Sequence, residues 1–328
     1  MPPVTLLPPL NVPALLRAHG LQPKKSLGQN FLTDPNLLER IVEAGQVTPT
    51  DTVLEIGPGL GSLTRHLAAR AARVLAVELD ANLIPILREV LTPYPNVQII
   101  HGDILQLDPQ TLISDSKIEQ LNDPTNEPTT KPTNQQTTDH QSLITNHPYL
   151  VIANIPYYIT SAVIRHLLES GHPPTRLVLT IQREVAERLC ATPDRAHKSD
   201  PQMSLLALSV QVYGHPTIAA HIPAGAFYPA PQVDSAVVHI ALYPEPRLPR
   251  AHLAPFFRLA KAGYSQKRKT LRNALATIFP KDHVDTLLNT AAIDPMRRAE
   301  TLTLEEWAHL TATQLQLPTL TPYSNSLL

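Results

Sequence analysis

Four residues, Asn154-Ile155-Pro156-Tyr157, carry the densest chemistry in this 328-residue sequence. They follow directly on an apolar run, Tyr149-Leu150-Val151-Ile152-Ala153, that reads as a buried strand. At such a strand end the Asn154 side-chain oxygen accepts one N–H. The Ile155 carbonyl, pushed into extended geometry by Pro156, accepts another. Tyr157 adds a flat face on which a base stacks. The set suits an adenine N6 amino group held with its nitrogen aimed at an electrophile.

A second constellation indicates what the electrophile is. Glu55-x-Gly57-x-Gly59-x-Gly61 lies where a strand turns into a helix, and glycines there let a ligand approach the backbone. Ser62 stands where a dinucleotide fingerprint wants its last small residue. Glu78 closes the next strand, placed to accept from both hydroxyls of a ribose. Asp103 closes the third, placed to accept from an adenine amino group. Adenine and ribose without pyrophosphate point to S-adenosylmethionine, whose sulfonium methyl is the electrophile.

The elements that position these residues alternate. Strands are read at Thr52–Ile56, Val74–Val77, Val97–Ile100, Tyr149–Ala153 and Leu177–Thr180. Helices are read at Pro35–Ala44 (N-cap Asp34), Ser62–Ala71, Leu83–Leu91 and Arg183–Leu189. This alternation gives an α/β class with a parallel, doubly wound sheet. Val210–Tyr213 and Ala236–Ile240 read as a final strand pair, followed by a Pro-containing linker at Tyr243–Pro249. Only helical patterns follow: Leu253–Ala262, Lys269–Ile278, His283–Asn289 and Leu304–Leu310. The expected division is an extension at 1–23, a catalytic domain at 24–245 and a smaller all-helical domain at 246–328. Within the catalytic domain, 113–147 is rich in Thr, Asn, Gln, Asp and Pro and reads as a disordered surface insertion.

Composition narrows the class. A single cysteine, Cys190, excludes an internal disulfide framework and a Cys-based zinc site and fits a reducing cytoplasm. The 14 histidines are scattered without ligand spacing, so no metal is expected. No membrane span is expected, and the proline-broken N-terminus does not read as a signal peptide. A net charge of −1 argues against indiscriminate nucleic-acid binding but leaves room for a local basic patch. The run Lys267-Arg268-Lys269, with Arg272 one turn on, is the candidate patch for RNA phosphates; Lys24, Lys25, Arg297 and Arg298 are further candidates.

Five blocks in this order resemble the ribosomal RNA adenine N6,N6-dimethyltransferase family: Gly28-Gln29-Asn30-Phe31-Leu32, Glu55-Ile56-Gly57-Pro58-Gly59, Asn154-Ile155-Pro156-Tyr157, Phe227 to Ser235, and Gln266 to Asn273. The resemblance spans roughly 24–310 and is nearest the small-subunit enzymes that dimethylate two adjacent adenosines in the 3′-terminal hairpin of 16S rRNA. It implies a Rossmann-like class I S-adenosylmethionine-dependent methyltransferase domain. It implies cofactor contacts at Asn30, Leu32, Glu55, Gly57, Gly59, Glu78, Asp103 and Asn154. It further implies a catalytic set of Asn154, Pro156, Tyr157 and Phe227, with Phe227 exposed and packing on the target base opposite Tyr157. The implied partner is 16S rRNA within the 30S particle, met by a cytoplasmic monomer. Tyr158 stands where close relatives often carry Asn or His.

Two alternatives remain at this level. One is a 23S rRNA adenine dimethyltransferase with the same pocket. The other is a ribosome-assembly factor acting mainly by binding. A DNA adenine methyltransferase fits less well, because its motif has two prolines where this chain has Ile155-Pro156.

Overall fold

The computed structural model describes residues 7–114, 148–194 and 202–317. They form two compact units, one of residues 1–186 and 217–242, the other of 187–216 and 243–328. Residues 187–216, expected within the 24–245 domain, cluster instead with the second unit.

The chain opens with α1 (Val12–Ala18), β1 (Phe31–Leu32), α2 (Pro35–Ala44), β2 (Thr52–Ile56), α3 (Ser62–Ala68) and β3 (Arg73–Glu78). It continues through α4 (Ile84–Leu91), β4 (Val97–His101), α5 (Pro109–Ile113), β5 (Tyr149–Asn154), α6 (Thr160–Leu168), β6 (Arg176–Gln182) and α7 (Arg183–Leu189). After α8 (Leu205–Gln211) come β7 (Gly214–Ile222), β8 (Phe227–Tyr228) and β9 (Ser235–Leu242), then α9 (Arg250–Tyr264), α10 (Leu271–Leu275), α11 (Lys281–Thr290) and α12 (Leu304–Gln316).

The sheet runs β4-β3-β2-β5-β6-β9-β7. The pairs from β4 to β6 are parallel, and β9 runs antiparallel to β6. Strands covered on both faces must be apolar throughout, which is why Leu150–Ala153 and Val74–Val77 show no alternation and are fully buried. Each such aliphatic side chain contributes about 1.5–3 kcal/mol on burial. Strand order matters most for function. From β2 the chain steps outward to β3 and β4, then returns to β5 on β2's other side. The crevice between the carboxyl ends of β2 and β5 is therefore the topological switch point, where open α/β sheets bind ligands. Ile56 and Asn154 end those two strands.

Caps read from sequence fix α2: the Asp34 carboxylate accepts from the Asn36 and Leu37 amides at 2.8 and 3.3 Å. Such a cap stabilises by about 1 kcal/mol. Three expectations need correction. Val210–Tyr213 is not a strand: Val210 and Gln211 end α8, whose start is capped by the Ser204 hydroxyl accepting from the Ala207 amide at 3.1 Å. Val-Gln-Val-Tyr is too short for its period to separate strand from helix. The partner of β9 is instead β7, whose alternating burial and Pro216 are those of an edge strand. The polar insertion begins later than read, since Ile113 is buried as the last residue of α5; residues 115–147 lie outside the described residues. The N-terminal extension also holds a helix, α1, whose Val12 and Leu16 share an apolar cluster with Phe31, Leu60, Leu83 and Ile86.

In the second unit, α8 to α12 surround Trp307 and Phe256, both fully buried. Gly263 is a close-approach point, since a Cβ there would lie 2.6 Å from the Trp307 ring. The helix read from Lys269 starts only at Leu271, because Thr270 is its N-cap.

Candidate active site

A cleft opens at the switch point. Its walls are the glycine turn after β2, the ends of β3 and β5, the turn after β4, and the segment 27–32. Of the sequence-predicted residues, Asn30, Leu32, Glu55, Gly57, Gly59, Glu78, Asp103, Asn154, Pro156 and Tyr157 all line it.

Gly57, Gly59 and Gly61 each take positive φ (69, 59 and 86°), a region where other residues are strained. Space reinforces the constraint at Gly59, where a Cβ would stand 2.8 Å from the Phe31 ring. The turn is tied to β3 through Glu78. One carboxylate oxygen accepts from the Gly59 amide at 3.0 Å and the other from the Asp80 amide at 2.8 Å. Each oxygen keeps a lone pair for a ligand hydroxyl. Burial pushes the Glu78 carboxyl above its usual range, and the amides of Asp80 and Gly59 oppose that rise. Asp103 spends one oxygen on the Leu105 amide at 3.0 Å, and its other oxygen makes no hydrogen bond with the described residues.

Glu55 is the most unusual carboxyl. It is 1% exposed, and one of its oxygens has no hydrogen-bond partner. Burial drives its pKa up to about 8, with Thr64 opposing and the Glu78 charge adding. A buried, unsatisfied carboxyl oxygen on the wall of a cleft awaits a hydrogen-bond partner. A cationic ligand carrying an ammonium and a ribose matches this acceptor set.

On the facing wall, the Asn154 amide nitrogen donates to the Asn30 carbonyl at 3.1 Å. That bond fixes the amide's orientation and leaves its oxygen as the acceptor. Pro156 holds the turn extended (ψ 133°), and Tyr157 begins the single-turn helix that follows. The Tyr157 hydroxyl is locked to the Ser235 hydroxyl at 2.7 Å, which anchors the ring by its far end. Burial raises the phenol pKa, so it stays neutral.

Phe227 departs from expectation. It is 5% exposed, paired with Leu32 across the β1–β8 ladder and packed into the core with Leu38 and Leu63. Its place in a two-residue strand draws the ring inward, so this conformation offers no exposed second face there. Tyr158 is the exposed aromatic on the cleft, at 60%.

The basic candidates divide. Lys267, Arg268 and Lys269 form an exposed turn between α9 and α10 and make no ion pair with the described residues. Arg272 is instead gripped by both carboxylate oxygens of Asp285, the outer bond at 2.6 Å. Arg297 is likewise held by Glu306, and Lys24 by Asp80 at 2.7 Å. Sequence reasoning missed Ser235, Gln29 and Asp80 as organising residues. Their signal was weak: the first two lay inside quoted blocks without an assigned role, and Asp80 lay two residues beyond Glu78. Among the described residues no cluster of His, Cys, Asp and Glu suits a metal, and no helix is long and apolar enough to cross a membrane.

Comparison with known proteins agrees with this geometry. The family model described as ribosomal RNA adenine dimethylase matches residues 20–314. A ribosomal RNA small subunit methyltransferase A from Dehalococcoides mccartyi is 40% identical over 90% of each chain. The protein of that name from Bacillus licheniformis is 38% identical over 92% of this chain and 94% of its own. Among solved structures, the 23S rRNA methyltransferase ErmE superposes with a TM-score of 0.62 at 26% identity, covering 88% of this chain and all of its own. A dimethyladenosine transferase from Plasmodium falciparum shares the fold, with a TM-score of 0.63 at 23% identity over 85% of this chain and 95% of its own. Match, identity and cleft together make this chain a member of the ribosomal RNA adenine dimethylase family, an α/β methyltransferase whose cofactor is S-adenosylmethionine.

Proposed function

We propose that the protein dimethylates the N6 amino groups of two adjacent adenosines in the 3′-terminal hairpin of 16S rRNA, acting as a cytoplasmic monomer on the 30S particle. The observation that carries this reading is the oriented Asn154 amide beside the edge-anchored Tyr157, at the mouth of a cleft whose far wall is the Gly57–Gly59 turn and Glu78. Identity of about 40% to small-subunit methyltransferases, against 26% to the 23S enzyme, supports the small-subunit substrate.

When bound, S-adenosylmethionine supplies a methyl group on a positively charged sulfur. The chain's residues do the rest. The Asn154 oxygen and the Ile155 carbonyl accept hydrogen bonds from the N6 amino group, two in the first methylation and one in the second, and draw the amine away from the planar geometry that delocalises its lone pair. The lone pair so freed would take the methyl group, whose bonding electrons would stay with the leaving sulfur. The nitrogen becomes acidic only as it takes the methyl group, so no strong general base is needed and the proton leaves to water. Tyr157 stacks the extruded base; unstacking it from the RNA costs a few kcal/mol. Orientation of this kind is worth about 7–11 kcal/mol of barrier. Glu55, Glu78, Asp103, Asn30 and Leu32 hold the cofactor in this reading.

The 246–328 segment supplies RNA recognition, with the Lys267–Lys269 turn on phosphates. Labelled methyl transfer to unmodified 30S particles and to naked 23S rRNA tests the substrate. Incorporation into 30S is expected; label confined to 23S rRNA selects the resistance-type reading, and tight particle binding without label selects an assembly factor. Replacing Lys267, Arg268 and Lys269 together by Gln is expected to lower the slope of log K against log salt by about 2–3, at about 0.7–0.9 per lost phosphate contact. An unchanged slope removes this turn from the interface.

A further inference from the structure

The segment 24–30 touches both halves of the site. Gly28, in the left-handed region (φ 62°), lies so close to the Asn154–Tyr157 turn that a Cβ would stand 3.1 Å from Pro156 and 3.4 Å from the Tyr158 ring. The Asn30 carbonyl takes the Asn154 amide. On the other side the segment ends on one carboxylate. Asp80, 5% exposed, accepts from the Lys24 ammonium at 2.7 Å and the Gln29 amide at 2.8 Å. It also accepts from the Asn82 amide and side chain at 3.1 and 2.9 Å. The Gln29 oxygen accepts in turn from the Lys24 backbone at 2.8 Å, closing a ring. The Asp80 amide donates to Glu78, whose other oxygen holds Gly59. One chain of hydrogen bonds thus runs from the 24–30 lip to the floor of the cleft. Burial works against the Asp80 charge, but the bonds from Lys24, Gln29 and Asn82 outweigh it and hold the carboxyl down at about 2. Its charge is therefore constant across the working pH range.

We propose that Asp80 is a positioning residue: with Lys24 and Gln29 it clasps the 24–30 lip over the cofactor cleft and thereby sets how tightly the cofactor is held. Asp80 does not line the cleft, so its effect must pass through the lip. A buried carboxylate that gathers two donors from a segment more than 50 residues away has a large local cost unless those donors stay in place. Opening the lip breaks the charged bonds together, which makes the closed state the strongly preferred one. The inference rests on the cofactor assignment above.

Calorimetric titration of the full chain with S-adenosylhomocysteine tests it, beside steady-state methyl transfer. Asp80→Asn is expected to raise the Kd about tenfold, since a charge-assisted bond of this type is lost. The KM for the cofactor rises in parallel, while kcat at saturating cofactor stays within about twofold. Lys24→Met, at a half-exposed position, is expected to raise the Kd about threefold. The double variant matches Asp80→Asn alone, because both changes break one clasp. Should Asp80→Asn not fold, Lys24→Met decides the matter. Wild-type affinity in both variants, or a loss in kcat with unchanged KM, overturns the clasp. Absence of binding by the wild type overturns the cofactor assignment instead.

Discussion

Asn154→Ala is expected to lower single-turnover methyl transfer by about 10²–10³-fold, the usual cost of removing one preorganised hydrogen-bonding group at a reacting centre. The loss should fall on turnover, with a far smaller change in cofactor affinity, because Glu55, Glu78 and Asp103 stay in place. Folding should change little, since Asn154 ends its strand only half-buried and its one internal bond is to the Asn30 carbonyl. Asn154→Asp sharpens the reading. It keeps an acceptor oxygen but sets a carboxylate against the Asn30 carbonyl, so activity should fall between wild type and Ala. Wild-type turnover in Asn154→Ala contradicts the assigned role.

The second large effect is on stability. Glu55 has a folded-state pKa near 8 against an ordinary value of 4.5, chiefly because it is buried. Between those values the native chain holds a proton that the unfolded chain has released. Stability therefore declines as pH rises through this window, by about 1.4 kcal/mol per unit, and levels off above pH 8. Glu55→Gln removes the titration. In the cofactor-free protein its stability relative to wild type is expected to increase by about 2–3 kcal/mol between pH 6 and pH 8.5. Urea midpoints at the two pH values measure this, and parallel curves for variant and wild type refute it. The gain should carry a cost in cofactor affinity, because Gln offers no negative charge to an ammonium.

The sheet was legible because its strands obey simple rules. Fully buried parallel strands show as unbroken apolar runs, and Tyr149–Ala153 and Val74–Val77 stand out at once. The candidate site was legible because the switch point concentrates function at strand ends: Glu78 and Asn154 are polar residues ending apolar runs, and Glu55 is a carboxyl one residue before the end of another. Four features were not legible, each for a physical reason. β7 is an edge strand whose alternation and Pro216 resemble a loop, while the apolar residues beside it belong to a helix. The burial of Phe227 depends on its cross-strand partner Leu32, almost two hundred residues away in sequence, which no local pattern encodes. The bonds from Lys24 and Gln29 to Asp80 likewise cross gaps of 56 and 51 residues. Similarly, Arg272 looks like a free cation in sequence, and only folding brings Asp285 opposite it.

The central claim is that the Asn154–Tyr157 turn directs methyl groups to the N6 nitrogen of adenine. Nucleoside mass spectrometry of 16S rRNA from unmodified 30S particles, incubated with the protein and S-adenosylmethionine, tests it most directly. The expected product is N6,N6-dimethyladenosine at two adjacent positions of the 3′-terminal hairpin, absent with Asn154→Ala. Methylation on a different atom or base, or none at all from protein that binds the cofactor, contradicts it.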